Sequence, residues 1–94
     1  MEIFYSQHFI KRNELRGIDP DIAEHVFFEA DRHYYDEQTG MCVAVKHILF
    51  KNRPRDISLV YKKEKDDGST FVTIHPLKEG QKTNRIITGR WKPL

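Results

Sequence analysis

His75 closes a β-rich stretch and is followed at short range by Arg85 and Arg90. Imidazole is the side chain whose ordinary pKa lies closest to neutrality. Guanidinium groups hold phosphate through a planar fork of N–H donors. Placed together, these groups suit proton transfer at a phosphodiester, with the arginines stabilising charge that develops on the phosphate. Lys46 and Tyr61, both in β-rich stretches, are further candidates for the same catalytic set. The pattern also fits a surface histidine before a turn with solvated arginines around it.

A second constellation overlaps the first. Residues 78–94 hold Lys78, Lys82, Arg85, Arg90 and Lys92 against Glu79 alone, whereas the whole 94-residue chain has a net charge of only +2. The remainder is therefore net negative, and the basic end suits an anionic partner: RNA, DNA or an acidic protein segment. Trp91 offers a stacking surface for a base, or else closes the edge of the core. Ile86 and Ile87 imply that part of this segment docks on the body. His8 and Arg12, one helical turn apart, either contact a ligand together or serve structure, with Arg12 pairing an acid such as Glu29.

Other chemistries find little support. The five histidines are scattered, without zinc-ligand spacing and with only one cysteine. There is neither a phosphate-cradling glycine loop nor a nucleophile elbow, so no metal and no cofactor is expected. Cys42 sits in an apolar run with no charged neighbour before Lys46, which fits a buried structural thiol. A single cysteine suggests a reducing compartment. No apolar run nears the roughly 20 residues needed to cross a bilayer, and the first residues do not resemble a signal peptide. A cytoplasmic protein with no membrane partner is expected.

The elements that must position these groups are readable in part. Ser6 can cap a first helix that Gly17 ends, with Tyr5, Phe9, Arg12 and Arg16 along one side. Asp19-Pro20 starts a second helix, with Asp as N-cap and Pro at the first position. Its apolar stripe is Ile22, Ala23, Val26, Phe27 and Ala30. Four strands follow: residues 32–36, 41–50, 57–62 and 70–77. Short connections between them imply an antiparallel meander. Val72 and Ile74 should face the helices, and Phe71, Thr73 and His75 the other side. The stripe should bury against Val43, Val45, Leu59, Val72 or Ile74. The expectation is one α+β domain, residues 1–94: two N-terminal helices on a curved antiparallel sheet of about four strands, with a basic tail from about residue 78.

His8-Phe9-Ile10-Lys11-Arg12, Arg16-Gly17-Ile18, the Asp-Pro-Asp-Ile helix start and a meander ending Val72-Thr73-Ile74-His75-Pro76 resemble a family of small bacterial proteins. That family is similar to the BrnT branch of the RelE/ParE toxin superfamily, and the resemblance spans roughly residues 5 to 77. It implies a RelE-like fold and metal-independent cleavage of RNA, including ribosome-associated mRNA, with a cognate antitoxin protein as silencing partner. In the ParE branch it implies gyrase poisoning instead. It places the polar site at the end of the last strand and just beyond, where His75 and Arg85 lie. Pro76 departs from relatives that carry arginine after this histidine. Three functions follow as expectations: a toxin-type endoribonuclease, a non-enzymatic nucleic-acid or protein-binding module of the same fold, and a gyrase-inhibiting toxin.

Overall fold

A computed structural model describes residues 2–94. In chain order the elements are β1 (Glu2–Tyr5), α1 (Gln7–Arg16), α2 (Pro20–Phe28), β2 (Arg32–Asp36), β3 (Cys42–Phe50), β4 (Arg53–Lys63), β5 (Gly68–Pro76), α3 (Gln81–Ile87) and β6 (Trp91–Pro93). The strands form one sheet in the order β1-β5-β4-β3-β2-β6. β2 to β5 make an antiparallel meander and β6 adds antiparallel to β2. β1 adds parallel to β5, pairing Glu2 with Gly68 and Tyr5 with Phe71.

The chain is therefore α+β, but two helices on a four-stranded antiparallel sheet is not its architecture. Among the described residues there are three helices and a six-stranded mixed sheet. The segment expected to be a basic tail from about residue 78 is folded into α3 and the edge strand β6. Little in the local sequence announces these extra elements. β1 has four residues, and its partner lies across most of the chain. α3 has a glycine N-cap with no side-chain hydrogen bond and buries none of its residues.

Where local signals are strong, the elements follow them. The Ser6 side chain accepts from the Phe9 N–H at 3.0 Å, and Gly17 ends α1 with φ +66°. Only a residue comfortable in the left-handed region fits there. Asp19 accepts from the Asp21 N–H at 2.9 Å and Pro20 is the first residue of α2. Lys51 and Asn52, both at positive φ, close the β3–β4 hairpin, as a two-residue turn of matching twist requires. Pro54 pairs with β3 in the part of β4 that extends beyond the register with β5, so its missing N–H costs no ladder bond.

The sheet is covered on both faces, and this corrects the expected packing. On one face α1 and α2 bury Phe9, Ala23, Val26 and Phe27 against Ala44, Leu59, Phe71 and Ile74. On the other face Tyr34, Val43, Val45, Leu77 and Trp91 form a second apolar cluster. Val43 and Val45 thus do not meet the α2 stripe. Both parities of β3 are apolar because both are buried, which alternation alone cannot resolve. β5 departs too. Tyr61 pairs with Phe71 while Val60 pairs with Thr73, which leaves Val72 as the extra residue of a bulge. The bulge turns Phe71 to the helix face beside Ile74, so Val72 is not a helix-facing core residue.

Candidate functional site

His75 lies directly across from Ser58 on β4, on the face opposite α1 and α2. Ser58 is buried, and its hydroxyl donates to the His75 carbonyl at 3.2 Å. Toward the ring the same oxygen is then an acceptor, 3.4 Å from Nε2. This arrangement keeps the proton on Nε2 and leaves the Nδ1 lone pair free. His75 is half-buried. Burial, then Arg16, then Arg85 hold its pKa below the ordinary histidine value. The ring is thus neutral near pH 7, the form that can accept a proton.

Two arginines act on it electrostatically. Arg16, in the last turn of α1, donates from Nη1 to the Ile74 carbonyl at 3.1 Å. β1 pairs with β5 only as far as Phe71, so Arg16 occupies edge that the parallel strand leaves bare. Arg85, on α3, lies over the Trp91 ring with Cζ 5.4 Å from the centroid. Burial and then Arg90 draw its pKa below the ordinary guanidinium value, with Asp36 acting the other way. α1, β5 and α3 together therefore bring Arg16, His75 and Arg85 into one electrostatic group. Sequence reasoning missed Arg16 as a site residue. The available signal was a basic side chain in the last turn before a glycine C-cap, where the helix dipole favours it.

The other residues expected at the site are not brought to His75. Arg90 is engaged by Asp36, with Nε to Oδ1 and Nη2 to Oδ2 both at 3.0 Å. Asp36 is 4% exposed. Burial raises its pKa, but the Arg90 fork and the Gln38 and Thr39 N–H groups outweigh that and lower it overall. Trp91 is buried beside Tyr34 with a ring separation of 5.3 Å, so it is core rather than an open stacking surface. Lys82 pairs with Asp56 at 3.6 Å, while Lys78 and Lys92 are exposed. Ile87 is 78% exposed, so α3 is not docked through both isoleucines. Beside α3, Gln81, Asn84, Arg85, Thr88 and Arg90 line an open depression of about 630 Å³.

Lys46 belongs to the opposite parity of β3, and its Nζ donates to Asp31 at 3.2 Å. Tyr61 lies under α2 on the helix face, 2.7 Å from His33 Nδ1. Burial first, then Cys42, push its phenol far above the ordinary value, so it is a donor and not a base. Burial likewise lowers the His33 pKa, against a hydrogen bond to the Phe27 backbone. Tyr61 and His33 join β4 to β2 at the wall of a cleft of about 550 Å³. Tyr61→Phe should leave His33 Nδ1 without its partner and lower unfolding free energy by about 1–2 kcal/mol. A urea titration reads that loss.

His8 and Arg12 are exposed on α1. Among the described residues, no group of three or more His, Cys, Asp or Glu side chains is placed to share a metal ion. Nor is any helix long and apolar enough to cross a membrane. Comparisons with protein-family models, curated proteins and solved structures gave no match.

Proposed function

We propose that the chain is a metal-independent endoribonuclease of the toxin type, working in the cytoplasm on RNA and silenced by a cognate antitoxin protein. The observation that carries this reading is the half-buried His75, whose pKa is held down by burial, Arg16 and Arg85, with Arg16 anchored on the neighbouring Ile74 carbonyl. A neutral imidazole accepts a proton, and two guanidinium groups attract a phosphodiester and stabilise charge on its oxygens. In the reaction, His75 Nδ1 accepts the proton of a ribose 2′-hydroxyl as that oxygen attacks the adjacent phosphorus. The new bond closes a 2′,3′-cyclic phosphate while the bond to the 5′ oxygen breaks, and that oxygen takes a proton from water. Arg16 and Arg85 serve the phosphate. Arg90, held by Asp36, maintains the ground on which α3 and β6 stand.

The direct test incubates the purified protein with RNA and a chelator. Products with 2′,3′-cyclic phosphate and 5′-hydroxyl ends are expected. Cleavage that appears only on addition of a metal ion would overturn the mechanism.

A salt titration checks the phosphate contacts separately. Each phosphate neutralised by a basic side chain steepens the fall of affinity with salt. Arg85→Gln should reduce the slope of log affinity against log salt by about one unit or slightly less, measured by fluorescence anisotropy on single-stranded RNA. An unchanged slope would assign Arg85 to Trp91 alone.

A second reading, a non-enzymatic binding module, is favoured by the ion pairs that occupy Arg90 and Lys82. It predicts RNA or protein binding with no cleavage under any condition. A gyrase-inhibiting toxin would instead arrest growth without RNA cleavage.

A further inference from the structure

The open depression beside α3, about 630 Å³, is of the size that small-ligand sites occupy. Gln81, Asn84 and Arg85 follow the spacing of one helical face, so α3 turns a polar stripe toward it. The turn after β2 contributes Glu37 and Gln38. That turn is fixed in place. The Glu37 N–H donates to the Arg90 carbonyl at 2.8 Å, and the Gln38 N–H to Asp36 Oδ1 at 2.9 Å. Arg85 is steadied on the Trp91 ring. The frame is thus held, while the side chains of Glu37, Gln38 and Asn84 are exposed. None of these three side chains has a partner among the described residues. Arg85 also ties the depression to His75, since its charge bears on the imidazole.

Glu37 is the informative residue. A surface made for phosphate alone gains nothing from an unpaired carboxylate in the same depression as Arg85. An ionised carboxylate accepts hydrogen bonds and donates none, and its two oxygens suit two adjacent N–H donors. Among the RNA bases, guanine alone carries two such donors side by side, N1–H and N2–H, with the O6 acceptor next to them. Adenine and cytosine present a ring-nitrogen acceptor at that edge, which a carboxylate repels. Uracil presents a single N–H between two carbonyl oxygens. The amides of Gln38 and Asn84 are donors suited to O6.

On the reading of the His75 site as one that cleaves RNA, we propose that this depression is its base-recognition subsite and takes guanine, with Glu37 on N1–H and N2–H and an amide of Gln38 or Asn84 on O6. Arg85, shared with the His75 group, holds the phosphate of the same nucleotide.

The test titrates the full chain with the 3′-monophosphates of guanosine, adenosine, cytidine and uridine, followed through the side-chain amide NMR signals of Gln38 and Asn84. The guanosine compound should give saturable shifts and bind about tenfold more tightly than each of the others. Glu37→Gln, a change in an exposed turn, should stay folded by circular dichroism and bind all four with similar affinity. His75→Ala should keep the guanine preference, which separates the subsite from the cleavage reaction. A guanine preference without RNA cleavage would overturn the nuclease reading and leave the base site standing. Cleavage of RNA together with equal binding of the four nucleotides would overturn the base site and leave the nuclease reading standing. A guanine preference that survives Glu37→Gln would also overturn the proposal.

Discussion

Val26→Asp is expected to abolish the fold. Val26 has no exposed surface and lies in the cluster between α2 and the sheet, among Ala23, Ala44 and Leu59. A carboxylate there has no basic partner within the apolar cluster and no route to water. Even when it protonates to escape the charge penalty, an unpaired polar group replaces a packed isopropyl group. Substitutions of this kind fall in the exceptional class, above roughly 4–5 kcal/mol. That is comparable with the whole stability of many domains of this size. Circular dichroism should show loss of native signal at 25 °C without denaturant, while Val26→Ile should melt close to wild type. A cooperative Val26→Asp transition near the wild-type midpoint would mean that α2 does not pack as described.

The largest functional effect is expected at His75. If its imidazole is the base, His75→Ala should lower the single-turnover cleavage rate by about 10²-fold or more. RNA affinity should change far less, because a proton-transfer role is expressed mainly in the transition state. The direction of the pH dependence follows from the environment. Burial, Arg16 and Arg85 all disfavour the protonated ring, so the folded-state pKa lies below the ordinary value of about 6.5. The active neutral form then persists on going below neutrality, and the rate falls only as pH drops through the lowered value. His75→Ala should lack this limb. Arg16→Gln should move it to higher pH, because one of the charges that opposes protonation is gone. The same shift links to stability. The contribution of a depressed histidine is fully present above its unfolded pKa and is lost as pH falls through the folded one. Equal cleavage by wild type and His75→Ala would remove His75 from the mechanism and leave Arg16 and Arg85 to be examined in turn.

How much of this was readable in the sequence depends on the reach of each signal. The N-caps of α1 and α2 lie within three residues of the groups they satisfy, and β2 to β5 are joined by short turns. Those elements could be read directly, except that β4 begins at Arg53 rather than at 57, because residues 53–56 are strand by their pairing with β3. β1 and β6 could not, because each exists only by pairing with a strand far along the chain, and neither is long enough to show a pattern. The bulge at Val72 shifts the parity of β5, and nothing in Phe71-Val72-Thr73-Ile74 distinguishes a bulged strand from a regular one. The site divides the same way. His75 stands opposite the helix face, as alternation from Ile74 suggests. Arg16 bears on it only because of where α1 ends against β5. Arg90 is withheld because Asp36, remote in sequence, lies beneath it.

The two edges of the sheet also set an order of events. The meander from β2 to β5 closes through short loops, whose entropy cost is small, whereas β1 must find Gly68 and β6 must find Asp36 across long stretches of chain. Non-local pairings of this kind slow folding. The meander can assemble before β6 docks, so for a time Val43, Val45 and Tyr34 lack Trp91 as a cover. A folding chain would thus pass through a stage with one face finished and the other bare, the stage at which a chaperone or a partner's apolar segment would gain its best hold. In hydrogen exchange, amides of β3 and β4 should be the last to open, and those of β1 and β6 the first.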